Sequence, residues 1–443
     1  MNDSFEYFLR NYRLFYQTAG VEIVYGEKLD VGIEIKRSVP ENFWSGNKDI
    51  EFDKVVWRIY DGVRIPFLFE DDNLDSFFFI TDKKVTINFD IVASTFYFLS
   101  GWNEKVSGKR DEIGRISYKE GIIHQLGISG IPVVNYYFKI LNSAIEEYKG
   151  GCEKLPLWNG GKFAVVISHD IDACLSGWLE GSKSELKKLN FFSIPRLIFK
   201  RFFQQDVWFN FQEIEKIVQK FKATSTYYFM VEKGKIGKLK NADYKISRED
   251  IRREIKCLIE AGNEIGVHGS FGTDVSADML KKEITKLNLG KIDGNRFHFL
   301  MFDPIKTVTV LENSELKYDS TLGFAETIGF RRGSCFPFYL YNFQNNTISN
   351  VLEIPLIVMD ASLAGQNYMN LNPKRAFLAI KPIIDEVLKF EGVFSILWHN
   401  TFFSQYKYTG WSAVLEETLI YINSKNPTYY KGRDIYKTLT GNH

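Results

Sequence analysis

Between Phe163 and His399 short apolar runs alternate with amphipathic stretches. The runs are FAVVIS, STYYFMV, EIGVHG, RFHFLM, VLEIPLIVM and VFSILWH. Between them FQEIEKIVQKF, REDIRREIKCLIEAG and ADMLKKEITKLNL place apolar residues three and four apart. The runs read as buried strands and the spaced stretches as helices with one packed face. Strand–helix alternation predicts a parallel sheet or β/α barrel, in which chemistry collects at the carboxyl ends of the strands. Residues 1 to about 155 have a different rhythm. VEIVYG, KVVWRI and VTINF are strand-like there, whereas DIVASTFYFLSGWNE and VVNYYFKILNSAIEEYKGG carry helical spacing, the last stopped by Gly150-Gly151. LPLWNGGK reads as a linker. The predicted organisation is a smaller mixed α/β domain over 1–155 followed by a β/α barrel unit over 160–443.

Composition changes this picture little. A net charge of +1 gives no support to nucleic-acid binding. With 38 Phe against 23 Tyr and 8 Trp, core packing rather than sugar stacking uses most of the aromatic residues. Cys152, Cys174, Cys257 and Cys335 form no CxxC pair, which predicts reduced thiols and speaks against a zinc–thiolate site. The N-terminal MNDSFEYFLRNYRLFYQTAG has no long apolar core of a signal peptide, and no apolar run has the length of a membrane span, so the reading is cytoplasmic. One stretch, KSELKKLNFFSIPRLIFKRFFQQDVWF over 183–209, interleaves cations with bulky apolar residues. It is a candidate for peripheral contact with an anionic membrane; the alternative is a helical insertion packed on the rest of the protein.

The chemistry concentrates where strands end. AVVISHDIDACLSGW runs four apolar residues straight into Ser168, His169, Asp170, Ile171 and Asp172. Unpaired charge is costly to bury, so such a strand end points to a metal, a proton transfer or a structural ion pair. The chain has six histidines. His124 and His443 fit no pattern, but His169, His268, His298 and His399 each lie in or just after a predicted strand. Imidazole and carboxylate together form the ligand mix that Zn²⁺ and related ions accept. Asp170 and Asp172, two apart on an extended strand, share a face; His169 points to the other.

In order, ISHDID, STYYF, AGNEIGVHGSF, RFHF and ILWH resemble the polysaccharide deacetylases with the NodB homology domain (carbohydrate esterase family 4), over about residues 160 to 400. The resemblance implies a distorted (β/α) barrel, with an accessory α/β region before it, and removal of N-acetyl groups by a metal-activated water. It makes Asp170 the base and Asp172 a metal ligand. His268 matches the second motif, which normally supplies two histidines; HGSFGTD supplies one, and His298 in RFHF is the candidate to replace the other. Arg296 matches the arginine that pairs with the base and orients it. Asp319, in LKYDSTLGF, matches the carboxylate that supports the acid histidine, and His399, after Leu397, matches that histidine. Trp398 can line the sugar or pack the core.

The implied function is divalent-metal-dependent, zinc-type hydrolysis of N-acetyl groups on a saccharide of bacterial envelope or exopolysaccharide metabolism. Two other readings stay open: a catalytically silent sugar-binding or assembly protein on the same fold, and a hydrolase of another non-peptide C–N bond.

Overall fold

The computed structural model describes residues 3–441 except 19, 71–75, 152–153, 188–204 and 405–406. Helix Asp3–Tyr12 precedes strands β1 (Ile23–Tyr25), β2 (Gly32–Ile35), β3 (Val56–Tyr60), β4 (Val63–Phe67), β5 (Phe78–Ile80) and β6 (Lys84–Ile87). These form a sheet ordered β1-β2-β6-β5 and a separate β3-β4 hairpin. Helices Ile91–Ser100 and Val133–Lys149 cover the stretches whose spacing predicts them, each ended by a left-handed glycine, Gly101 and Gly150.

The large sheet contains β7 (Phe163–Ile171), β8 (Ser225–Met230), β11 (Glu264–Gly269), β12 (Gly294–Phe297), β13 (Tyr318–Asp319), β14 (Phe338–Asn342), β15 (Thr347–Glu353), β16 (Val358–Met359), β17 (Val393–Leu397) and β18 (Pro427–Tyr429). A short hairpin, β9 (Lys235–Ile236) and β10 (Leu239–Lys240), leaves the carboxyl end of β8. The order is β14-β15-β13-β12-β11-β8-β7-β17-β16, with β18 also on β7; neighbours run parallel except β14 with β15. The predicted single strand VLEIPLIVM is two, the end of β15 and β16. Pro355 lies between them, where a residue without an N–H cannot continue a ladder.

This sheet is curled. Arg296 on β12 reaches Ser168 and Asp170 on β7, with β11 and β8 between. On a flat sheet three strand spacings would hold those backbones roughly 14 Å apart. Glycine makes room inside the curl: a Cβ on Gly294 would stand 2.1 Å from the Tyr318 ring, and one on Gly266 2.6 Å from Tyr228. The path ends at β14 and β16 and leaves the ring open there.

The N-terminal part shares its apolar core with the large sheet, from Tyr7 through to Leu439. Tyr7 donates to the Tyr339 carbonyl at 2.7 Å, and the Phe15 and Phe336 rings stack at 3.7 Å. Glu104 accepts from both Arg331 and Arg332 at 3.0 Å, all three buried or nearly so. Burial alone would raise the Glu104 pKa; the two guanidinium groups outweigh it and keep the carboxylate ionised. Gly101, with φ +74°, faces the Arg332 guanidinium where any side chain would collide.

Stretch 183–209, the candidate membrane contact, lies mostly outside the described residues; of its end, Trp208 and Phe209 are buried. Among the described residues no helix is long and apolar enough to cross a membrane, and Cys174, Cys257 and Cys335 are free thiols.

Glu104→Ala leaves two buried arginines without their carboxylate. Urea unfolding should show a loss of about 3–5 kcal/mol, the cost of breaking a buried pair from one side. A loss within 0.5 kcal/mol, roughly what a surface substitution gives, would mean that this contact does not hold the two parts together.

Candidate metal centre

Strand register decides which side chains meet. Asp170 on β7 faces Tyr228 on β8, and His268 on β11 is level with Arg296 on β12. All point inside the curl. Asp172 stands just beyond β7 on the same face, and His298 follows β12 by one residue.

Asp172, His268 and His298 converge. The Asp172 Oδ1 lies 3.1 Å from His268 Nε2 and 3.6 Å from His298 Nδ1, and the two ring nitrogens are 3.1 Å apart. Donors about 2.0–2.1 Å from a tetrahedral ion stand roughly 3.3 Å from one another, so the spacing suits zinc.

The other ring nitrogens set the tautomers. His268 Nδ1 donates to the Arg296 carbonyl at 2.8 Å, and His298 Nε2 donates to the Lys240 carbonyl at 2.9 Å. A carbonyl only accepts, so in each neutral ring the nitrogen facing the centre has a lone pair. Burial pushes the His298 pKa down to about 4, which keeps it neutral. Burial also works against a charged His268, but Asp170 and Asp172 outweigh it and move its pKa up. Asp172 Oδ1 is shielded from solvent with no hydrogen-bond donor, and although burial disfavours its charge, the histidines around it hold its carboxyl well below the usual range. Two lone pairs and an orphaned carboxylate oxygen in contact call for a cation: an ion, or a proton on His268 in its stead.

Two further groups flank the trio. Asp170 Oδ1 accepts from Arg296 Nη1 at 2.9 Å, and its Oδ2 is 3.9 Å from His268 Nε2. Arg296 is wholly buried, and four of its five N–H groups are hydrogen-bonded. It donates to Ser168 Oγ, the Ser320 carbonyl and Ser320 Oγ at 2.8–2.9 Å and lies over the Tyr228 ring at 4.5 Å. On the other side His399 Nε2 is 3.8 Å from Asp172 Oδ2.

His399 has a different partner from the one expected. Its Nδ1 and backbone N–H both donate to Asp360, at 2.7 and 2.6 Å. Asp319 does not reach it. Asp319 is level with Asn295 and Glu353 on β13, so its side chain takes the face opposite Arg296, where it accepts from Asn295 and Thr321. Asp360 follows β16 by one residue as Trp398 follows β17, and Met359 is level with Leu397. The apolar run IPLIVMD ends in a carboxylate just as AVVISHD does, so the signal that singles out Asp170 was present for Asp360 as well.

Two other candidates fall away from the centre. His169 lies on the outer face between the Trp398 carbonyl (2.7 Å) and Ser225 Oγ (3.2 Å). Trp398 has no exposed surface and packs near Trp411 and Phe402. Ser270, within HGSFGTD, donates its hydroxyl to Glu283.

Residues 5–149 match a family of unknown function (DUF7033). No curated protein matches the chain. Among solved structures it is similar to a protein from Mycobacterium smegmatis described as a polysaccharide deacetylase, with 14% identity over 65% of this chain and 92% of that one and a TM-score of 0.44. It is similar to an allantoinase, with 14% identity over 65% and 94% and a TM-score of 0.43. It is also similar to a pseudoenzyme of carbohydrate esterase family 4 from Bacillus anthracis, with 10% identity over 62% and 66% and a TM-score of 0.32.

Burial would lower the His399 pKa, but Asp360 beside it, with Asp172 and Asp170 beyond, raises it to about 10. A pKa raised in the folded state stabilises fully below the unfolded value, about 6.5, and that stabilisation fades as pH climbs to about 10. In metal-free protein ¹⁵N NMR should therefore find His399 an imidazolium at pH 8. Asp360→Asn should bring its midpoint back toward about 6.5, and Asp319→Asn should leave it in place. The reverse pattern would return the supporting role to Asp319.

Proposed function

We propose that the protein is a divalent-metal-dependent hydrolase that removes N-acetyl groups from a saccharide. The observation that carries the reading is the trio of Asp172, His268 and His298, with both imidazoles turned lone pair inward, between the Asp170 carboxylate on one side and the His399 imidazole on the other. These residues fit zinc in type, spacing and tautomer. When bound, such an ion acidifies water and polarises a carbonyl oxygen.

The chain's own groups divide the remaining work. Asp170 takes the proton of the attacking water. Arg296 holds that carboxylate toward the centre through its 2.9 Å hydrogen bond. His399, protonated and presenting Nε2 to the centre, gives a proton to the departing amine nitrogen, and Asp360 fixes its tautomer and its charge. Water adds to the acetamide carbonyl, the C–N bond breaks, and acetate and the free amine leave. The buried Arg296–Asp170 pair serves the fold under either reading; the carboxylate-backed His399 that presents Nε2 to the centre is what favours hydrolysis over a silent sugar-binding protein.

Acetate release from N-acetylated oligosaccharides, measured beside metal content, tests this. Asp170→Asn and His399→Ala should each keep the metal and lose about two to four powers of ten in rate. Asp172→Ala and His268→Ala should lose the metal. Undiminished acetate release from either of the first pair removes that residue's role, and stoichiometric metal in both of the second pair removes the ligand set. Turnover of small amides but not of saccharides would move the substrate to another C–N bond.

A further inference from the structure

The third corner of the metal trio stands on unusual backbone. His298 opens a turn in which Phe299 (φ 58°, ψ 13°) and Leu300 (φ 56°) are both left-handed, although neither is glycine. Such backbone is strained and persists only where its surroundings impose it. Within the turn one backbone hydrogen bond, from Met301 N to the His298 carbonyl at 3.2 Å, does part of this.

The His298 ring is held by the Lys240 carbonyl at 2.9 Å, and a further restraint comes from the N-terminal part of the chain. Segment 110–116, inside the stretch that matches the family of unknown function, folds back on itself through Arg110 and Ile116 and lies along residues 299–303. Arg115 Nη1 donates to the Phe299 carbonyl at 3.4 Å, Gly114 lies over the Met301 methyl, and Arg110 Nη2 pairs with Asp303 Oδ2 at 3.3 Å. Arg115 is itself held firmly. Asp111 accepts from its backbone N–H at 2.8 Å and from its Nε at 2.7 Å, and Glu326 is 3.7 Å from its Nη2.

We propose that Arg115, fixed by Asp111, is a positioning residue through which the N-terminal part holds the His298 turn in its metal-binding shape. This rests on the metal reading above. Two observations set Arg115 apart from ordinary interdomain packing: it binds the carbonyl of the strained residue itself, and that residue directly follows a candidate ligand. The strain explains why an outside support is needed. Released from Arg115, the Phe299 peptide can rotate toward unstrained backbone and take the His298 Nδ1 away from Asp172 and His268.

The test uses the full chain, with zinc affinity measured by chelator competition and with hydrogen exchange of amides 298–301 in metal-free protein. Arg115→Ala should bind zinc about 10–100-fold more weakly, the usual cost of losing an outer support. It should also speed exchange in the turn more than elsewhere in the folded chain. Arg115→Lys should recover part of both, and Asp111→Asn should follow Arg115→Ala in smaller measure. Unchanged affinity and exchange in folded Arg115→Ala overturn the proposal and leave the metal site standing. Absence of zinc binding by the wild type overturns the metal reading, and this one with it. Faster exchange without weaker binding keeps the contact but removes its role in metal binding.

Discussion

A guanidinium with no solvent exposure lies inside the curled sheet, and much else is arranged around it. Arg296 cannot be buried without satisfying its donors and its charge. It does so on Ser168 and Asp170 from β7, on Ser320 beyond β13, and against the Tyr228 ring from β8. Those partners belong to strands that a flat sheet would hold apart, so the demand for them and the curl of the sheet support one another. The same contacts fix Asp170 beside the metal trio. The Arg296 backbone carbonyl, held by the strand, fixes the tautomer of His268. One residue thus ties the fold to both Asp170 and His268.

The two-residue period of a strand sorts the remaining candidates. It puts Asp170 and Asp172 inside and His169 outside, which was legible from spacing alone. It also puts Asn295 and Asp319 on the face opposite Arg296. That was not legible, because LKYDSTLGF does not reveal its register with the strand before it. Motif order therefore suggested Asp319 as the support of His399, while geometry supplies Asp360. The difference is one of strand pairing: β16 is two residues long and follows a proline, so a reading by apolar runs merged it with β15.

The alternation of strands and helices was legible because buried parallel strands need continuous apolar runs, and the runs at β7, β8 and β17 are strong. Backbone contributions were not. The carbonyls of Lys240 and Arg296 that turn the two imidazoles belong to residues whose side chains give no hint of the role. Arg115 is some fifty residues before the first motif and looks like any surface cation until the chain folds it against Phe299.

The position of His298 links these points. Two histidines on one loop share a single backbone and are placed together when it folds. Here HGSFGTD offers one histidine, and the second nitrogen comes from the turn after the next strand. Two separate backbones must then agree to within a few tenths of an ångström for both rings to serve one ion. Strand pairing aligns His268 with Arg296 but ends at Phe297, one residue short of His298. Beyond that point the turn is left-handed, and what restrains it comes from β10 through the Lys240 carbonyl and from the N-terminal part through Arg115. A site assembled from more distant pieces needs more of the chain to hold it, which gives the N-terminal 150 residues, docked through a continuous core and a buried Glu104 with its two arginines, a physical reason to be fixed so firmly against the sheet.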